Sequence, residues 1–249
     1  MSYTLFISDL HLDPARPEHL EALGKLLEAH AGKADALYVL GDLFEAWIGD
    51  DDDTPFNQEA ISAFRSFSDN GSQLYFMHGN RDFMLGEGFA AACGGNLLEE
   101  GTVVDLYGTS ALLMHGDSLC TLDTAYQQFR TMARSPQWQQ GMLAKPLEER
   151  RMIAQGMRMQ SQGNNANKAE NIMDVTPEEV VRVMDEAGVK HLIHGHTHRP
   201  NIHDVALADG QGKRWVLGDW GKLGWQIVAD SEKGPVSYTH LRAHETRPN

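Results

Sequence analysis

Cysteine is scarce in this chain. Cys93 and Cys120 are the only two in 249 residues, and no metal-type spacing relates them. A disulfide framework is therefore excluded, and a reducing compartment is expected. Long apolar runs are also missing. No stretch approaches the roughly 20 residues needed to cross a bilayer, and Met1-Ser2-Tyr3 leads directly into a strand-like run, so neither a spanning helix nor a signal peptide is expected. Positive charge is in deficit, with 21 Lys and Arg against 35 Asp and Glu and a formal net charge of −14. That balance argues against nucleic acid as a partner. It also suits a protein in which several carboxylates hold divalent cations, each ion adding two positive charges. The apolar share, 41%, is ordinary for a globular protein.

What is present is a series of short apolar runs, each ending in polar residues of metal-binding type. Thr4 to Ser8 reads as a buried strand ending in Asp9-Leu10-His11, and Glu18 to His30 as an amphipathic helix with Leu20, Leu23, Leu26 and Leu27 on one face. Ala36 to Leu40 is a second strand and ends in Gly41-Asp42. A strand–helix–strand unit of this length predicts two parallel strands whose carboxyl ends lie side by side. Open α/β sheets place their sites at such ends. Gly41 is expected to spare the ions the crowding of a Cβ. Gln73 to Met77 ends in His78-Gly79-Asn80-Arg81-Asp82, and Ser110 to Met114 ends in His115-Gly116-Asp117 after a partner strand, Thr102 to Leu106. Lys190 to Ile193 leads into His194-Gly195-His196-Thr197-His198, where i, i+2 spacing on a strand aims His196 and His198 at one point and turns Thr197 away. By itself this stretch also fits a polar loop. Five separated segments with ligands at strand ends, however, make coincidence a poor account.

Seven ligands, Asp9, His11, Asp42, Asn80, His115, His196 and His198, exceed what one ion needs and suit two that share a carboxylate. Mixed nitrogen and oxygen donors fit Mn2+, Fe2+ or Zn2+, and the carboxylate and amide content favours Mn2+. Two adjacent ions can clamp a phosphoryl oxygen, and Arg81 adds a planar donor fork suited to phosphate.

Elsewhere, Asp50-Asp51-Asp52-Asp53 lacks calcium-loop spacing and is expected to be a solvated loop preceding a helix with Phe56, Ile61, Phe64 and Phe67. Residues 84 to 92 read as a short helix. From 118 to about 171 strand signals vanish. Asp123 to Arg134 and Leu147 to Gln160 read as helices and Gln160 to Asn167 as a polar loop. Met132, Met142, Met152, Met157, Met159 and Met173 concentrate there. An adaptable Met-rich cap beside a polar site suits a partly apolar substrate, although an ordinary helical core would look similar. Thr176-Pro177-Glu178-Glu179 opens a helix, with Thr176 as its cap, that Gly188 stops. Asn201 to Leu207, Arg214 to Leu217 and Gln226 to Asp230 are expected to form a second, antiparallel-type sheet.

Asp9-x-His11, Gly41-Asp42, Gly79-Asn80, His115 and Gly195-His196-x-His198 together resemble the signature of the calcineurin-like metallophosphoesterases. Ser8-Asp9-Leu10-His11-Leu12, Gly41-Asp42-Leu43-Phe44-Glu45, Gly79-Asn80-Arg81-Asp82-Phe83, His115-Gly116-Asp117-Ser118-Leu119-Cys120-Thr121, Ile172-Met173-Asp174-Val175 and His194-Gly195-His196-Thr197-His198-Arg199-Pro200 are similar to the UDP-2,3-diacylglucosamine pyrophosphohydrolases of lipid A synthesis. The resemblance spans about residues 3 to 230. It implies an α/β fold, a two-sheet αββα sandwich, with a helical lid at about 121–171 of a domain running from 1 to 235. It implies two Mn2+ ions, one held by Asp9, His11, Asp42 and His198 and the other by Asp42, Asn80, His115 and His196. Catalytic roles would fall to Asn80, Arg81 and His196, and substrate contacts to Asn80, Arg81, Asp123, Ser161, Asn165, Lys168 and His196. It further implies water attack on the α-phosphorus of UDP-2,3-diacylglucosamine, giving UMP and 2,3-diacylglucosamine 1-phosphate. The setting would be the cytoplasmic face of the bacterial inner membrane, with the protein peripheral and no obligate protein partner.

Another phosphoesterase acting on phosphodiesters or dinucleoside polyphosphates would share the metals, but many of these carry His where Arg81 stands. A catalytically inert scaffold would be expected to have lost ligands, and none is missing. Residues 236–249 depart from the pattern. They lack apolar periodicity, carry Arg242 and Arg247, and resemble translated sequencing adapter. They are expected to be a non-native tail that leaves the sheet short of an edge strand.

Overall fold

The computed structural model describes residues 2–165, 172, 174–221, 223–232 and 234–242. Two sheets stack face to face. The first has strand order β11-β10-β1-β2-β3-β4, built from β1 (Tyr3–Ile7), β2 (Ala36–Leu40), β3 (Gln73–Met77), β4 (Asn96–Leu98), β10 (Leu223–Asp230) and β11 (Gly234–Arg242). The second has order β5-β6-β7-β9-β8, from β5 (Thr102–Leu106), β6 (Thr109–Leu113), β7 (His191–His194), β8 (Asn201–Leu207) and β9 (Gly210–Val216). Helices α1 (Pro17–His30), α2 (Pro55–Asp69) and α3 (Glu87–Ala92) lie with the first sheet, and α7 (Pro177–Ala187) with the second. Helices α4 (Thr124–Ala133), α5 (Pro136–Leu143) and α6 (Leu147–Asn165) form the insertion.

Strand alternation builds the layers. On β1, Leu5 and Ile7 face the helices and join Leu23, Phe64 and Phe89, whereas Phe6 faces the other sheet beside Leu40, Leu113, Ile193 and Ile227. A third cluster, Leu112, Leu192, Val180 and Met184, seats α7 on the outer face of the second sheet. Three interlayer clusters define the αββα sandwich. Each fully buried side chain of Leu or Phe size contributes about 1.5–3 kcal/mol relative to exposure. As the sequence predicts, β1 and β2 pair in parallel, Leu5 opposite Leu37, and β2 and β3 do the same, so their carboxyl ends share one edge.

Several expectations need correction. β10 joins the first sheet, antiparallel to β1 with Leu5 opposite Val228, and not the second. The buried Ile227 and Ala229 cover what would otherwise be an open edge of β1. The first sheet does not lack an edge strand, because β11 pairs with β10 from Leu223–Arg242 to Asp230–Gly234 and carries the sheet past residue 235. Edge pairing is a backbone property that a segment without apolar periodicity can still satisfy. Helix α5 was not anticipated, although Ser135 accepts from Trp138 N at 3.3 Å with Pro136 at the first position. The expected loop from Gln160 is helix to Asn165, since extending an existing helix costs far less than starting one. Thr176 does not cap α7 with its side chain; its hydroxyl pairs with that of Thr121 at 2.7 Å.

The acidic run is not simply solvated. Asp50 accepts from Trp47 Nε1 and from Gly86 N and Phe89 N, the first turn of α3. Asp51 takes both terminal nitrogens of Arg150, which is 2% exposed, and Asp52 takes Arg151. These aspartates fasten α6 to the body of the fold.

Candidate metal centre and cavity

The strand ends turn sharply before they present ligands. Among the described residues six non-glycines have positive φ, and five are Asp9 (55°), His11 (49°), Asp42 (50°), His196 (67°) and His198 (54°). Such residues pay for a left-handed backbone, and they concentrate where function demands a particular side-chain direction. Strand pleat is therefore not what aims Asp9 with His11 or His196 with His198. β1 ends at Ile7 and β7 at His194, and the convergence is made by the turns beyond them. Thr197 also departs from expectation and lies in the cavity wall.

All seven predicted ligands meet. His11 Nε2 stands 3.2 Å from His198 Nε2, which is 3.3 Å from Asp9 Oδ1. Asn80 Oδ1 stands 3.0 Å from His115 Nε2 and 2.8 Å from His196 Nδ1, and His115 Nε2 lies 3.7 Å from Asp42 Oδ1. Donor atoms of Asp9, His11 and His198 lie within 4.8 Å of one another, as do those of Asp9, Asp42 and His115. The two groups share Asp9, whereas the resemblance makes Asp42 the shared residue.

The donor set fits divalent ions. Carboxylate, amide oxygen and imidazole nitrogen from five segments converge, with Asp9, His11, Asp42 and His115 buried and Asn80, His196 and His198 half-buried. His11 Nδ1 is buried without a hydrogen bond. His115 Nδ1 bonds Leu40 O at 2.8 Å, which orients the ring and leaves Nε2 for an ion.

Glycines keep the loops close. A Cβ on Gly79 would fall 2.1 Å from Asp42 Oδ1, and one on Gly195 2.2 Å from Asp9 Oδ2. Gly41, at φ +88°, would meet His115 Nδ1 at 2.5 Å and Gly79 Cα at 2.7 Å, so a Cβ there would strike a predicted ligand and the neighbouring loop.

Burial sets the electrostatics. It raises the Asp42 carboxyl, with Asp82 and Asp9 adding to the effect against His115 and Arg81. It lowers His196 to about 4 and His11 to about 2. His115 goes the other way. Burial opposes its protonation, but Asp42, Asp117 and Asp9 outweigh it and lift the imidazole to about 9.

Three carboxylates in the motifs were given no role by sequence reasoning. Asp82 accepts from the backbone N–H of Asp42, Leu43, Phe44 and Gly79 and so ties the β2 loop to the β3 loop. Glu45 receives Arg81 Nη1 at 2.9 Å and also pairs with Arg158, while Arg16 and His11 approach to 3.5 and 3.4 Å. Asp117 gathers Tyr126, Arg130 and Arg134 of the insertion. The only sequence signal for these three was their position inside the quoted motifs.

A cavity of about 970 Å³ opens from this centre. Asp42, Asn80, Arg81, His196 and His198 form its polar end, and Trp47, Phe83, Phe129, Trp138, Met142 and Met157 its apolar wall. Asp123 and Ser161 line it as well. Asp123 also accepts from Tyr126 N at the start of α4. Asn165 falls on the last turn of α6, and Lys168 lies outside the described residues. Arg81 keeps its Nε buried without a hydrogen bond, 3.5 Å from Asp42 Oδ2.

Comparison with known proteins agrees with this geometry. Residues 3–200 match the family model described as calcineurin-like phosphoesterase. A protein of Cellvibrio japonicus (strain Ueda107) named UDP-2,3-diacylglucosamine hydrolase is 52% identical over 228 residues, covering 92% of this chain and 95% of its own. One of the same name from Marinobacter nauticus (strain ATCC 700491 / DSM 11845 / VT8) is 50% identical over 237 residues, covering 95% and 97%. Among solved structures, one titled as a novel archaeal phosphodiesterase superposes with a TM-score of 0.50 at 14% identity, covering 96% of this chain and 99% of that one. A hypothetical protein from Pyrococcus horikoshii OT3 gives 0.51 at 13%, covering 98% and 90%. At these identities the structures speak to the fold alone.

Proposed function

Because this chain belongs to the calcineurin-like phosphoesterase family, we propose that it hydrolyses the diphosphate bond of UDP-2,3-diacylglucosamine, giving UMP and 2,3-diacylglucosamine 1-phosphate in lipid A synthesis. The observation that carries this reading is the cavity. One space joins a cluster of metal-type donors to a wall of aromatic and Met side chains, which matches a substrate with a charged diphosphate and an acylated sugar. The names of relatives at 52% and 50% identity support the same substrate.

In this reading Asp9, His11, Asp42 and His198 hold one ion, and Asp42, Asn80, His115 and His196 the other. When bound, two divalent ions, here Mn2+, supply Lewis acidity to the phosphoryl group and lower the pKa of water. Asn80, Arg81 and His196 border the polar end of the cavity, where they orient the diphosphate. Arg81 exchanges its Glu45 partner for a substrate oxygen. A guanidinium does not give up a proton near neutral pH, so it serves a leaving group that needs charge neutralisation and no proton. A phosphate monoester leaving a diphosphate is such a group, whereas an alkoxide is not. Asp123 and Ser161, with Asn165 and Lys168 from the end of the insertion, contact the sugar and nucleotide, and the insertion acts as the lid over the acyl chains. No described helix is long and apolar enough to cross a membrane. Met132, Leu143, Met152 and Met159 are exposed apolar residues of the insertion, and they support peripheral contact with the inner membrane.

The test is phosphorus NMR of UDP-2,3-diacylglucosamine incubated with the Mn2+-loaded protein in 18O-water. UMP carrying the label is the expected product. Label in the lipid phosphate would refute attack at the α-phosphorus, and an unchanged substrate would refute the proposed activity.

A further inference from the structure

Helix α4 is the first element of the insertion, yet it touches the metal-type loops at three places. Tyr126, Arg130 and Arg134 are four residues apart and share one face of it. All three donate to the same atom, Asp117 Oδ2: the Tyr126 hydroxyl, Arg130 Nε at 2.9 Å and Arg134 Nη2 at 3.4 Å. The Asp117 side chain is fully buried, two residues beyond His115. Gln127 Nε2 adds a bond to Asp117 O at 2.8 Å. Arg134 Nη2 reaches on to Gly79 O at 3.0 Å, the carbonyl just before Asn80. The Tyr126 ring stacks beside His196, with centroids 6.3 Å apart and planes at 24°. One helical face thus meets the segments that present Asn80, His115 and His196.

The phosphate-hydrolysis reading gives this network no part. A buried carboxylate is costly unless its charge is compensated, and here both compensating guanidiniums come from the insertion. We propose that Asp117 is a positioning residue that clamps α4 to the loops carrying Asn80, His115 and His196. The cavity wall and the metal-binding side chains are then set as one rigid unit, and α4 is the strut by which the insertion is fixed to the centre. The inference rests on the proposed metal-dependent reading for its catalytic consequence, but its structural half can be measured without substrate.

The experiment uses the full chain and the variants Asp117→Asn, Arg134→Gln, their double combination, and Tyr126→Phe. Three quantities are read: Mn2+ affinity by calorimetry, amide exchange across residues 124–133, and kcat and KM on UDP-2,3-diacylglucosamine. Asp117→Asn is expected to weaken Mn2+ binding and lower kcat by about 10- to 100-fold, as loss of a supporting partner does, and to speed exchange in α4. The double variant should lose less than the product of the two single losses, because both substitutions cut the Asp117–Arg134 link and only Arg134→Gln also releases Gly79 O. Tyr126→Phe, which keeps the ring against His196, should lose less than either. Unchanged Mn2+ affinity and exchange in Asp117→Asn would overturn the proposal. So would losses that multiply in the double variant, or a rise in KM alone with kcat intact. Should Asp117→Asn not fold, Arg134→Gln is read by the same criteria, since Arg134 is partly exposed and leaves the carboxylate with Arg130. Failure of the wild type to cleave the substrate would sink the functional reading, while metal affinity and exchange would still decide on the clamp.

Discussion

Replacing Gly79 by Ala tests how tightly the two central loops are fitted. A Cβ there would lie 2.1 Å from Asp42 Oδ1, 2.2 Å from Asp42 N and 2.8 Å from Asp42 Cγ. Optimal carbon contacts begin near 3.5 Å, so the loops must part by about 1 Å or more. Rotating a side chain does not relieve the clash, because one of the struck atoms is backbone. That backbone is fixed in turn: Asp82 holds the N–H groups of Leu43 at 2.7 Å and of Gly79 at 2.8 Å. Metal–ligand distances tolerate about 0.2 Å, and a misplacement of about 1 Å costs on the order of 100-fold in rate. That factor is about 2.7 kcal/mol of transition-state stabilisation. Gly24→Ala is the control, since it lies within α1 with nothing inside 4 Å of the added methyl. It should leave kcat alone and add about 0.5–1 kcal/mol of stability. The assays are kcat on the diphosphate substrate, metal content by elemental analysis, and thermal melting to confirm folding. A Gly79→Ala protein with full metal content and kcat near wild type would show that the loops yield and that the argument from close fit is wrong.

Other outcomes follow from the same geometry. Arg81→Ala should cost roughly 2–4 kcal/mol in kcat/KM on the diphosphate, and an unchanged value would remove Arg81 from the reaction. His115 titrates in the metal-free fold at about 9, above its ordinary 6.5. An ion needs the neutral ring, so metal affinity should strengthen as pH rises from 6 to 9, with proton release seen by calorimetry in two buffers; a flat profile contradicts this. With the folded pKa raised, the same group stabilises the metal-free protein fully below 6.5 and loses that contribution as pH climbs through 9, which melting curves in a chelator would register. Gly49→Ala combines φ +136° with a Cβ 2.4 Å from Arg150 Nη1. It should cost about 1–3 kcal/mol of stability and loosen α6, measured by urea unfolding and by exchange of residues 147–161.

Much of the fold was legible because apolar runs of strand length ended in polar residues at regular intervals, and βαβ connectivity left little choice for β1, β2 and β3. Where the structure departs from the sequence pattern, the deciding partner is distant in sequence. β10 follows β8 and β9 along the chain, and its position there predicts their sheet. It instead returns to β1, more than 200 positions earlier, since Leu5 and Val228 meet. The Asp50–Asp53 run looked like any solvated charge cluster because its arginines, Arg150 and Arg151, are 99 positions away. Composition gives a carboxylate its type but not the cation that will reach it.

The ligand set shows a subtler case, where the expected convergence was found by a route the sequence did not reveal. Spacing of i and i+2 suggested same-face side chains on a pleated strand, and Asp9 with His11 and His196 with His198 do point inward together. Each pair, however, sits beyond its strand in left-handed turns. A pleated strand could hold such side chains only at the sheet's own spacing, fixed by its register with neighbouring strands. A turn frees them from that register and lets five segments from two sheets meet within a few ångströms. The backbone cost of five non-glycine residues at positive φ is borne by the packing behind them: Ser8 Oγ on Asp9, Asp82 under Asp42, His11 N on Asp42 O, and His196 N on Asp9. Those supports are ordinary Ser, Asp and main-chain groups. They become recognisable only once the loops are assembled, which is why the donors could be read from the chain and the scaffold that aims them could not.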